Sequence, residues 1–235
     1  MMFEIVHDVR YLGVVATTTI ERRRQDPALL EKRRARRRAR VVARLLPIVE
    51  RLLDEEDSYL DLKVERILEE GDMARSTFYS YFDDKADLII ALGETAMREI
   101  IDVAQSIWDL PADATREQVR AAVRRSLEAY LPHTKLMRVV NEVSTYDLRV
   151  RERFEATYEE AQRAAARHIR AGQKAGFIRR DLNPDDAAGW FTWMAERGMT
   201  TLVESASKAR RERLGDTFAS ILWYSLYDGQ GRRPQ

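Results

Sequence analysis

From Val41 onward, apolar residues recur at three- and four-residue steps, and nowhere do they alternate strictly with polar ones. That period belongs to helices and not to strands. Within a helical pattern that begins at Arg33, Val41, Val42, Leu45, Ile48, Val49, Leu52 and Leu53 form the first stripe. Pro47 falls inside it and is expected to kink the helix or to mark its true start, because proline has no N–H to donate. A short second helix is predicted from Asp61, its candidate cap, to Glu70, with Leu62, Val64, Ile67 and Leu68 on the apolar side. Gly71-Asp72 supplies a turn, since both residues tolerate left-handed backbone angles.

The segment Met73–Leu88 is the most informative in the chain. It predicts one short helix that presents Arg75, Ser76, Thr77, Tyr79 and Ser80 outward and buries Phe78, Tyr81 and Phe82. A two-residue acidic break follows, then a helix capped by Asp84 and Asp87 that opens with Lys85. A small helix entered by a tight turn suits a DNA major groove, which admits one α-helix and is read by short polar side chains near its start.

The remaining pattern is helical throughout. A long stripe runs through Leu88, Leu92, Ala96, Ile100, Val103 and Ile107 and ends near Trp108. Thr115 with Gln118 forms a capping box for a helix to Tyr130, and Pro132 starts another that lasts to about Ser144. Asp147 caps a long helix that stops at Gly172–Gly176. Asn183-Pro184-Asp-Asp combines an N-cap, a proline at the first helical position and acids in the first turn. A last helix carries Leu214, Phe218, Ile221, Leu222 and Leu226. The expected class is all-α, with about nine helices.

Charge adds a direction. Between Arg22 and Arg40 there are ten Lys/Arg against two acids, a net +8, while the whole chain is only +1. A basic block beside an acidic body points to a polyanion contacted at one end, with Arg36 and Arg40 as candidate contacts. A solvated tail accounts for the same charges. The absence of Cys excludes disulfides and thiolate metal sites, and His7, His133 and His168 lie too far apart in sequence to indicate a metal. Neither a cofactor nor a catalytic constellation is expected, and no apolar run is long enough to span a membrane, so a cytoplasmic protein is expected.

The run Thr77, Phe78, Tyr79, Tyr81, Phe82, Asp84, Lys85, Asp87 and Leu88, with Ile67 ten residues earlier, resembles the DNA-reading segment of the tetracycline-repressor-like (TetR) family of transcription regulators. Gly176–Ala188 resembles that family's loop between its seventh and eighth helices. The chain departs at the entry to the reading helix. Asp72-Met73-Ala74 stands where the family usually has Gly-Val-Ser, and Lys63 stands at the usual Thr cap of the second helix.

The resemblance implies an extension over 1–30, a helix-turn-helix domain over 31–90, and a ligand-binding and dimerisation domain over 91–228. It assigns DNA contacts to Arg75, Ser76, Thr77, Tyr79, Ser80 and Lys85. It also implies a cavity for a small apolar or aromatic effector, with Trp108, Met137, Asn141, Tyr146, Phe154, Tyr158, Trp193 and Met194 as candidate lining residues. Trp190, Phe191, Phe218, Ile221 and Leu222 exceed what one packing face needs and are the candidate homodimer interface. The expected function is a homodimeric repressor released from a palindromic operator by a small ligand. The alternative is a DNA-binding protein of the same fold controlled by a protein partner.

Overall fold

A computed structural model describes residues 27–55 and 62–227, and no strand occurs among them. The helices are α1 (Pro27–Glu55), α2 (Val64–Glu70), α3 (Arg75–Tyr79), α4 (Lys85–Trp108), α5 (Arg116–Tyr130), α6 (Thr134–Val143), α7 (Leu148–Ala175), α8 (Pro184–Gly198) and α9 (Lys208–Leu226). A 3-10 turn (Leu131–His133) precedes α6, and a single π-helical turn (Met199–Val203) extends α8. By its internal contacts the chain divides after Arg36. The described part of the first unit, residues 27–36, is the opening of α1, and its side chains from Ala28 on are exposed.

Helix α1 starts earlier than the periodicity indicates, at Pro27, a favourable first position for a residue without an N–H. Pro47 neither starts nor ends it. Pro47 is exposed, as is Ala43, whose carbonyl loses its helical donor, so water can serve that carbonyl. Helix α2 begins at Val64 with Lys63 at the N-cap and no side-chain cap bond, and Asp61 lies outside the described residues.

Four caps read from sequence form as expected. Asp84 accepts from the Asp87 N–H at 2.8 Å. Thr115 and Gln118 close a reciprocal box, and Asp147 and Asn183 accept the first free N–H groups of α7 and α8. Gly176 ends α7 with φ +86, a left-handed angle that glycine adopts without strain.

Two buried clusters organise the helices. One gathers Leu45, Ile67, Phe78, Phe82, Leu88 and Phe154, among others, and so joins α1–α4 to α7. The other gathers Ile107, Val123, Ile169, Phe191, Leu222 and others from the far end of α4 and from α5, α7, α8 and α9. Helix α4 contributes to both. On the outside, Arg120 and Arg124 of α5 grip Asp216 of α9, and the hydrogen bond from Arg120 holds that carboxyl well below the usual range.

The turn between α2 and α3 depends on Gly71, but not for its backbone angle. Its φ is an ordinary −83, and the positive φ of 43 falls on Asp72. A Cβ at residue 71 would lie 2.8 Å from Leu45 Cδ2 and 2.9 Å from the Ile67 carbonyl oxygen. Gly71→Ala is therefore expected to destabilise the protein by about 1–3 kcal/mol, because the backbone oxygen cannot move aside. Chemical denaturation of the two forms checks this; equal midpoints would refute the close-approach role.

Candidate functional site

The segment Met73–Leu88 is built on two aromatics. Phe78 is 0% exposed and Phe82 1%, with ring centroids 5.1 Å apart, and both sit in the cluster that α1 and α4 share. That burial fixes which way α3 faces. Arg75, Ser76, Thr77, Tyr79 and Ser80 are all exposed as a result. The helix itself has only five residues, shorter than the pattern predicts, and Ser80 at its C-cap donates to the Thr77 carbonyl at 2.6 Å. Ala74 occupies the N-cap with no side-chain bond, so Ser76 does not serve as a cap.

Arg75 reaches back to Glu65 of α2 at 2.9 Å and lies over the Tyr79 ring at 5.6 Å. Both ends of the Arg75–Glu65 pair are more than 60% exposed, so the pair is worth only about 0–1 kcal/mol and yields readily to a competing anion. Lys85, half-buried, is the first residue of α4, where free backbone N–H groups favour an anion. Arg36 is exposed in the first unit and Arg40 in the second. Arg22–Arg24 lie outside the described residues.

Arg38 has a different role from its basic neighbours. Its Nη2 binds Asp87 Oδ1 at 2.7 Å, its Nε donates to the Tyr81 carbonyl at 3.1 Å, and its guanidinium lies 5.1 Å from the Phe82 ring centroid. Arg38 thus ties α1 to the corner between α3 and α4. Nothing in the run of arginines distinguishes it beforehand.

A cavity of about 140 Å³ lies among α4, α5, α7, α8 and α9. Its wall is mostly apolar, from Ile100, Ile107, Val123 and Phe191 among others, with Ser126, Tyr130, Tyr158, Thr192 and Glu196 as polar members. Of the candidate lining residues, Trp108 and Tyr158 line it, and Asn141 donates to Glu196 Oε1 at 2.8 Å. Met194 lines a neighbouring cavity of about 230 Å³ bounded by α5, α8 with its π-helical turn, and α9. Met137 and Phe154 are buried in the cluster shared with α1–α3, Tyr146 is on the surface, and Trp193 is exposed while packing against Tyr158. Phe191 and Leu222 turn into the chain's own core and Phe218 into both cavities, whereas Trp190 (71% exposed) and Ile221 (41%) face outward. Trp193, Leu202 and Tyr224 are exposed as well. Sequence reasoning missed Glu196 as a cavity residue and did not separate Tyr130 from the core aromatics. Tyr130 looks like core by its helical spacing, and Glu196 like any exposed acid.

No family model and no curated protein matches the chain. Solved structures do match. A TetR-family transcriptional regulator from Pectobacterium atrosepticum superposes with TM-score 0.63 at 19% identity, covering 90% of this chain and 100% of its own. A TetR-family regulator from Mesorhizobium loti gives TM-score 0.63 at 18% identity over 81% of this chain and 97% of its own. A transcriptional regulator from Saccharomonospora viridis in complex with choline gives 0.63 at 16%, over 82% and 98%. The chain has the TetR fold. At these identities the likeness is one of architecture.

Within this TetR fold, one buried titratable group joins three elements. His133, just before α6, places Nδ1 2.6 Å from Glu50 Oε1 of α1 and Nε2 3.3 Å from Glu99 Oε2 of α4, with a side chain only 7% exposed. The hydrogen bond to Glu50 raises its pKa above the ordinary 6.5, against the opposing effect of burial. A raised folded-state pKa means the pairing contributes fully below about pH 6.5 and is lost as pH climbs through the raised value. His133→Gln is expected to cost about 1–3 kcal/mol at pH 6 and markedly less at pH 9, read from urea denaturation at each pH. A loss independent of pH would show that the imidazole is merely packed there.

Proposed function

We propose that this protein is a DNA-binding transcriptional regulator, a homodimeric repressor that a small ligand releases from a palindromic operator. The observation that carries the reading is the polar face of α3: Arg75, Ser76, Thr77, Tyr79 and Ser80 exposed together on a helix locked from behind by Phe78 and Phe82. Short polar side chains on the first turn of such a helix can meet base edges in a major groove. Tyr79 and Lys85 are the proposed contacts to flanking phosphates, and Arg36 and Arg40, by their charge alone, add attraction for a polyanion.

The exposed apolar residues of α8 and α9, Trp190, Ile221 and Tyr224, support association with a second copy. A twofold dimer would present its reading helices one helical turn apart, ~34–36 Å, as a palindromic site requires. The cavity supports a small effector over a protein partner, because its wall is apolar and not filled by side chains. That the Saccharomonospora viridis protein was solved in complex with choline supports a small-molecule effector in this reading. Helix α4 passes from the cavity to the reading corner, so a ligand that displaces its far end alters the setting of α3. A ligand that prefers the non-binding conformation about 100-fold shifts the equilibrium by about 2.7 kcal/mol. No helix among the described residues is long and apolar enough to cross a membrane, and the proposed site of action is DNA in the cytoplasm.

A gel-shift titration with the DNA upstream of the protein's own coding sequence tests the reading. Lys85→Ala is expected to weaken binding several-fold for every sequence and to reduce the salt slope by about 1, and Tyr79→Phe to weaken it less. Unchanged binding by both variants across salt concentrations would remove α3 and the start of α4 from the interface.

A further inference from the structure

The polar groups of the cavity are unevenly matched. Glu196 lines it, and Oε1 accepts a hydrogen bond from the neutral amide of Asn141 at 2.8 Å. Among the described residues no Lys, Arg or His lies within ion-pair distance of Glu196, whereas Glu204, the next acid along, is paired with Arg138 at 3.2 Å. The Tyr130 side chain also lines the cavity. The residue is only 6% exposed, and its hydroxyl is buried without a hydrogen-bond partner. Tyr158 lines the same cavity, and its ring packs 5.1 Å from that of Trp193.

The part-buried Glu196 carboxylate has an amide but no cation beside it, and the buried Tyr130 hydroxyl has no partner, so both are electrostatically incomplete. Burial, with the negative charge of Glu196 added, pushes both phenols well above their ordinary pKa, which keeps them neutral. A neutral phenol oxygen accepts a hydrogen bond, and its ring face attracts a cation. Acceptors and negative potential therefore gather at the Glu196 side of the cavity, and the wall contributed by Ile100, Ile107 and Val123 offers only hydrocarbon.

We propose that the cavity selects an amphiphilic organic cation, an alkyl or arylalkyl ammonium whose charged end pairs with Glu196 beside Tyr130 and Tyr158 and whose apolar body fills the rest. The inference rests on reading this cavity as the effector site, and it names the effector's chemical class. The volume of about 140 Å³ is near that of an engineered apolar cavity known to hold benzene, so one aromatic ring with a short amine arm is the right scale.

Three probes of nearly equal shape separate charge from hydrogen bonding and from apolar fit: 3-phenylpropylamine, 3-phenylpropan-1-ol and butylbenzene. Titration calorimetry on the DNA-free, full-length protein at pH 7 is expected to show the amine binding about tenfold or more tighter than either neutral probe. Glu196→Gln, which keeps an acceptor for Asn141, is expected to bring the amine to the level of the alcohol and leave butylbenzene within about twofold. Tyr130→Phe is expected to weaken the amine several-fold without affecting butylbenzene. Equal affinity for amine and alcohol, a preference for butylbenzene, no binding of any probe, or an amine preference that survives Glu196→Gln would each overturn the proposal. Release of operator DNA is measured separately. An amine that binds through Glu196 but leaves the DNA complex intact sinks the effector reading alone, whereas release by the neutral probes as effectively as by the amine sinks the cation inference alone.

Discussion

The burial of Phe78 and Phe82 is the constraint on which the rest depends. Each ring removed from water is worth about 1.5–3 kcal/mol, more than a five-residue helix could gain from its own hydrogen bonds, since a helix that short does not persist alone. Helix α3 is thus a surface feature of the core beneath it. With the two aromatics inside, Arg75, Ser76, Thr77, Tyr79 and Ser80 face out, while Tyr81 packs part-buried against the same cluster. Arg38 adds direction to that burial. It spans α1, the Tyr81 carbonyl and Asp87, so the corner between α3 and α4 is held at a definite angle as well as buried.

Helix α4 extends this constraint to the other end of the molecule. Its first half, from Leu88 to Met97, packs in the cluster that supports α3, while Ile107 sits in the second cluster and Ile100 and Trp108 line the cavity. Close-packed clusters of this kind tend to shift between discrete arrangements instead of deforming smoothly. Under the proposed function, a group that enters the cavity and moves the far end of α4 acts on the same rod that supports the corner between α3 and α4. His133 reinforces the connection by holding Glu50 of α1 and Glu99 of α4 from one ring.

Much of this was legible beforehand because local signals and global fold agree. The caps at Asp84, Thr115, Asp147 and Asn183 lie where side-chain oxygens meet the free N–H groups of a helix start, a relationship contained within four residues. The aromatic spacing of Phe78, Tyr81 and Phe82 likewise indicates a buried face and an exposed one. The boundaries that shifted did so for reasons outside the local pattern. Helix α1 reaches back to Pro27 through residues with no apolar stripe, and Pro47 is tolerated because it lies on the solvent side. The turn glycine at residue 71 owes its place to Leu45, twenty-six positions earlier, and not to a backbone angle.

By itself, the order of residues determined the all-helical class, the four side-chain-capped helix starts and the polar face of Arg75–Ser80, since each follows from periodicity or capping over one or two turns. Only the tertiary structure decided which arginine of the basic run is a clamp, which aromatics line a cavity and which glutamate stands in it without a cation. Those assignments arise from residues that meet across tens or scores of positions, such as Arg38 with Asp87 or Asn141 with Glu196. A side chain's own identity does not specify its partner at that distance, because packing of the intervening helices chooses it.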